Sequence, residues 1–86
     1  MPEICRFFGI IIYIYYSDHQ PSHFHAVYGE YEVQITIDDL TIFSGYFPPR
    51  ALGLVIEWAS IHQDELKKDW DQAVNHQKLN KIEPLK

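Results

Sequence analysis

The sequence predicts an α+β fold: an antiparallel β-meander of three to four strands, with one long C-terminal helix, straight or bent near His62, packed on one face. Three observations carry this. The first half holds short β-branched and aromatic runs separated by turn residues. The second half holds a single apolar stripe at helical spacing. The 86 residues, 47% of them hydrophobic, suit one domain, 1–86, with a thin core.

The first strand is read from about Arg6 to Tyr16, through the run "FFGIIIYIYY". Phe8, Ile10, Ile12 and Ile14 would point one way, and Phe7, Ile11, Tyr13 and Tyr15 the other. Both faces are apolar, as in a strand covered on both sides. One helix covers one face of a sheet, so this strand predicts a second cover: a homodimer or an obligate partner. The run is too short for a membrane span and lacks a cleavage site suited to a signal peptide.

The second strand runs from His23 to Tyr28 and the third from Tyr31 to Ile37. Gly29-Glu30 joins them as a type II′ hairpin loop, with glycine at the first central position. This register pairs Tyr28 with Tyr31, Ala26 with Val33 and Phe24 with Ile35, all apolar. It pairs Val27 with Glu32, His25 with Gln34 and His23 with Thr36 on a mostly polar face. A slip of one residue would mix the two sets. A turn at Asp38-Asp39 leads to a fourth strand, about Leu40 to Ser44. Ile42 then falls on the apolar face, and Thr41 and Phe43 on the histidine face.

Pro48 and Pro49 favour an extended approach followed by a first helical turn. From Pro49 to Asn75, a stripe of Ala51, Leu52, Val55, Trp58, Ala59, His62, Leu66, Trp70 and Ala73 opposes a wet face of Gly53, Glu57, Ser60, Asp64, Lys67 and Asp71. Asp64 is an alternative cap for a second helix if the chain bends near His62. The tail "KLNKIEPLK" reads as irregular or as a short edge strand.

Net charge is −5, and it is unevenly spread. Up to Gln63, Arg6 and Arg50 face seven carboxylates; from Asp64 on, five lysines balance five carboxylates. An acidic body offers few phosphate contacts, which argues against a general nucleic-acid binder. There is no DNA-binding signature and no membrane segment. With a single cysteine, Cys5, no internal disulfide can form. A buried thiol and a reducing, cytoplasmic setting are expected.

Candidate chemistry gathers in "DHQPSHFH". His23 and His25 leave the same face of one strand, with Cα atoms about 6.6 Å apart. That spacing suits two ligands of one metal ion, with His19 and Asp18 as further ligands from the preceding loop. A divalent transition metal such as zinc, nickel or copper fits such donors; no other cofactor is expected. The same pair can instead act as base and acid in metal-independent phosphodiester cleavage. That chemistry needs a cation for phosphate, with Arg50 at the helix start first and Arg6 second. His62, within the apolar stripe, reads as a hydrogen-bonded core residue.

"CRFFGIIIYIYYSDHQPSHFHAVYGEY", "FPPRALGLVIEWASIHQDELKKDW" and the "KIEPL" ending together resemble the bacterial and phage domain-of-unknown-function family 4160. The resemblance covers nearly the whole chain; its most specific pieces are "DHQPSHFHAVYG" and "RALGLVIEWA". Ser22 stands where such proteins carry a second proline, and "IDDLTIF" where a Thr-Gly turn is common. The resemblance implies a cognate small partner, often encoded alongside and of family 2442, in a toxin–antitoxin-like pair. It carries Asp18, His19, His23, His25 and Arg50 as candidate site positions. Three readings follow: a toxin-like component that cleaves RNA with His23 and His25, a non-enzymatic interaction or regulatory module, and a histidine-rich metal-binding protein.

Overall fold

The computed structural model describes residues 2–16 and 18–86. Five antiparallel strands form one sheet in sequential order. They are β1 (Glu3–Phe7), β2 (Ile10–Tyr13), β3 (His23–Tyr28), β4 (Tyr31–Thr36) and β5 (Ile42–Tyr46), followed by helices α1 (Pro49–Ile61) and α2 (Gln63–Val74). The class is α+β as expected, with five strands and two helices where the sequence suggested three to four strands and one long helix.

The extra strand comes from the apolar run. Phe7 pairs with Ile10, so Phe8 and Gly9 form a two-residue hairpin loop. Both have positive φ, 49° and 79°, the combination a type I′ turn requires. Gly9 signals this turn in the sequence, but the surrounding β-formers mask it. Phe8, expected to share a face with Ile10, is instead a turn residue and 59% exposed. Ile10, Ile12 and Ile14 are fully buried. A bulge between Glu3 and Cys5 lets Ile4 and Cys5 both reach the interior. Burial pushes the Cys5 thiol above its ordinary range, which suits an inert core thiol.

The β3–β4 register is the one read from the sequence, from His23 opposite Thr36 to Tyr28 opposite Tyr31. Gly29 has φ 60°, as a type II′ loop needs. The next hairpin closes on Thr36 and Thr41, whose hydroxyls lie 3.1 Å apart. Strand β5 starts and ends two residues later than expected. Ile42 pairs with Ile35, and a bulge then sets Ser44 against Gln34 and Gly45 against Val33. A Cβ on Gly45 would lie 2.3 Å from the Glu32 carbonyl oxygen, and its φ is 89°. Only glycine fits there.

One long helix is replaced by two, with the break at His62, the position where a bend was expected. His62 ends α1 and precedes α2, with φ −119° and ψ 25°. The Asp64 cap does not form; the first turn of α2 has no side-chain cap. His62 Nδ1 instead contacts Glu65. Gln63 donates to the Ile37 carbonyl at 2.8 Å, tying the break to the β4–β5 loop. Helix α1 lies on the apolar face of the sheet. Its Trp58 ring is 5.5 Å from Phe7 and 6.0 Å from Phe24.

The tail is irregular but fixed. Ile82 donates to the Ile4 carbonyl at 2.9 Å, and Trp58 Nε1 donates to the Glu83 carbonyl at 2.8 Å. It therefore covers the outer edge of β1. Asp69 of α2 helps to hold it: Oδ1 accepts the Asn80 N–H at 2.9 Å. Asp69 is 1% exposed and its Oδ2 has no hydrogen-bond partner. Burial pushes its carboxyl up, more than the Asn80 hydrogen bond pulls it down.

Two outcomes follow. Gly45→Ala should lower unfolding free energy by about 2–3 kcal/mol in urea titration, because backbone must move or strain. Asp69, with its raised value, stabilises the fold fully below about pH 4, its ordinary titration point, and that contribution is lost as pH rises through the folded value. Urea midpoints of Asp69→Asn and wild type should therefore shift in the variant's favour from about pH 4 to about pH 7; an unchanged gap would mean burial costs this carboxylate nothing.

Candidate functional site

Strand β3 is the third of five, paired with β2 on one side and β4 on the other. Phe24 and Ala26 enter the core, and both are fully buried. His23 and His25 therefore point to the opposite face, together with Tyr13, which pairs with His25. The alternation predicted a wet face here. The histidines are instead 3% and 4% exposed. Aromatic rings enclose them: Tyr15 meets His25 edge-on at 4.2 Å, while Phe43 and Trp70 lie 5.3 and 5.2 Å from His23. Trp70 comes from α2, which begins after the break at His62.

The loop between β2 and β3 brings Asp18 back over the pair. Asp18 Oδ2 lies 2.8 Å from His25 Nε2 and 3.1 Å from His23 Nε2. Only the first contact has hydrogen-bond alignment. His23 Nε2 is buried with no hydrogen-bond partner, although the carboxylate is close enough to attract a protonated ring. His23 Nδ1 donates to the Pro21 carbonyl at 2.7 Å. His25 Nδ1 lies 3.1 Å from Glu32 Oε2. Both histidines thus have their Nδ1 side held and their Nε2 side turned to Asp18. The negative surroundings also reach Tyr15, whose phenol is pushed up first by burial and then by Glu32.

Asp18, His23 and His25 come together, with one ligand atom of each within 4.8 Å of the others. His19 does not join them; it is exposed in the same loop. Arg50 is elsewhere. It lines a shallow pocket with Phe8, Ile10, Tyr28 and Leu54, at the other end of β3. Tyr28 is five residues from His23, about 17 Å along an extended strand. Arg6, the second candidate cation, forms an ion pair with Glu3 at 2.9 Å. The sequence reading missed Glu32 and Trp70. Glu32 pairs with Val27, the residue two along from His25, and so is a diagonal neighbour of that histidine. Trp70 carried no comparable signal.

Chemically, the cluster offers two imidazole Nε2 atoms and one carboxylate oxygen to a common point. It can trade a proton among these groups or hold a cation, and among the described residues no lysine or arginine forms an ion pair with it.

The family model for Domain of unknown function (DUF4160) matches residues 9–71, and the chain belongs to this family. The matched span contains the whole cluster and α1. No curated protein and no solved structure matches the chain. Among the described residues, no helix is long and apolar enough to cross a membrane.

Proposed function

We propose that this DUF4160 member acts by binding a partner protein through the open edge of its sheet, as the toxin-like component of a toxin–antitoxin-type pair. The observation that carries this is the unequal treatment of the two sheet edges. The tail covers β1, while β5 pairs with β4 alone. All five β5 residues are exposed, including Ile42 at 49%, Phe43 at 48% and Tyr46 at 62%. Tyr31 adds its ring next to Tyr46, 6.0 Å away. Exposed edge strands pair with other chains unless blocked by charge, proline or cover, and β5 (IFSGY) has neither charge nor proline. A partner strand would gain backbone hydrogen bonds there, and Ile42, Phe43 and Tyr46 would supply side-chain contacts. The preferred occupant is a small protein of family 2442, the partner that the family resemblance implies; a second copy of this chain is the other outcome.

Metal-independent RNA cleavage by His23 and His25 is the second reading. It is favoured by the ring pair, 5.1 Å between centroids, with Asp18 and Glu32 as proton partners. It is disfavoured by the burial of both rings and by the distance of Arg50.

Two experiments separate these readings. Co-expression with a small protein of family 2442 encoded beside the gene should yield a complex and relieve any growth arrest. Ile42→Lys with Tyr46→Lys should weaken that complex about tenfold or more, with little change in thermal midpoint; an unaffected complex would remove the edge from the interface. Purified wild type should leave RNA intact under conditions where the complex forms. Cleavage that is lost in His23→Ala and His25→Ala would reverse the order of the two readings.

A further inference from the structure

We propose that Asp18, His23 and His25 form a binding site for one divalent transition-metal ion of the zinc class, held by Asp18 Oδ2, His23 Nε2 and His25 Nε2. Phe43 of β5 packs on His23, but the three ligands lie outside β5, and neither proposal requires the other.

The first support is convergence. Three donors of types that bind zinc lie within 4.8 Å of one another. Around a tetrahedral ion with bonds of about 2.0–2.1 Å, neighbouring ligand atoms are about 3.3 Å apart. Here the carboxylate oxygen is 2.8 and 3.1 Å from the two nitrogens. An ion needs these contacts to open by only a few tenths of an ångström.

The second support is the orphaned nitrogen. His23 is 3% exposed, and its Nε2 lies in the cluster without a hydrogen bond. A buried polar atom without a partner is costly and uncommon in folded proteins. Its Nδ1 must donate to the Pro21 carbonyl, since a carbonyl only accepts. In the neutral ring this leaves the Nε2 lone pair facing Asp18. A metal ion is a partner for that lone pair.

The third support lies behind the ligands. Metal-binding histidines usually donate their other N–H to a carbonyl or a carboxylate, which fixes the ring. His23 has the Pro21 carbonyl and His25 has the Glu32 carboxylate, at 2.7 and 3.1 Å. Asp18 and Glu32 together supply two negative charges to balance a divalent ion. Two nitrogens and one oxygen favour zinc-class ions over magnesium or calcium, which take oxygen ligands. The Asp18 side chain is 25% exposed, so the cluster lies near the surface, within reach of water as a fourth ligand. Three protein ligands with an open position is the pattern of a zinc site that binds water or an external ligand.

The test uses the full chain, stripped with a chelator and then freed of it. Zinc is titrated by calorimetry, and cobalt(II) is used for its visible d–d spectrum. The expected result is one equivalent per chain, a rise in thermal midpoint, and a cobalt band of four-coordinate type. Asp18→Asn, on a partly exposed loop, should keep the fold by circular dichroism and weaken zinc by more than about a hundredfold. Glu32→Gln should weaken it about tenfold while keeping one equivalent per chain and the four-coordinate cobalt band, since Glu32 positions His25 without touching the ion. His19→Ala should bind as wild type does. No binding by wild type, or binding that Asp18→Asn leaves intact, would overturn the proposal, the second by placing the ion at other histidines.

Discussion

The rest of the structure depends on the register of β3. It is the central strand, and its period of two divides four residues between opposite environments. Phe24 and Ala26 fill the apolar side beneath Trp58. His23 and His25 are sent together to the other side. A shift of one residue would bury the histidines under α1 and bring Phe24 to the face of Asp18. The apolar pairs across β3 and β4 therefore fix the geometry of the polar cluster as firmly as they fix the core. Hydrophobic burial does the positioning, and the cluster inherits it.

Trp58 and Trp70 extend that order to the rest of the chain. Trp58 joins α1, β1, β3 and the tail through ring contacts with Phe7 and Phe24 and a hydrogen bond to the Glu83 carbonyl. Trp70, on the helix that follows the break at His62, packs against His23 and helps to enclose it. Asp69, next to Trp70, is the one carboxylate drawn deep inside, where it holds the backbone N–H of Asn80. The same tail that Asp69 anchors covers β1. Among the described residues the opposite edge, β5, has no such cover, so the fold has one covered edge and one whose aromatic side chains are exposed.

The cluster and the edge have different characters. The cluster is small, buried and acidic, with its Nδ1 atoms held and its Nε2 atoms converging. The edge is long, exposed and apolar. Arg50 belongs to neither, lying in a pocket at the far end of β3. A phosphate-cleaving site of the kind that histidine pairs support needs a cation beside them, whereas the side chains that meet the rings here are the carboxyl groups of Asp18 and Glu32. This is the physical reason the metal reading gains from the tertiary structure what the acid–base reading loses.

Alternation, turn chemistry and helical periodicity are local properties, and the sequence alone determined what they govern. They set the α+β class, the β3–β4 register with its Gly29 loop, the shared face of His23 and His25, the approach through Pro48 and Pro49, and the family. Even the break at His62 was legible as a bend. The Phe8-Gly9 turn was hidden because phenylalanine rarely takes positive φ and every neighbour is a strand former. The burial of the histidines, the return of Asp18, the approach of Glu32 and Trp70, and the separation of Arg50 needed the tertiary structure. Each depends on where a loop or a second helix travels through space, and a loop's path is decided by what it packs against rather than by its own residues.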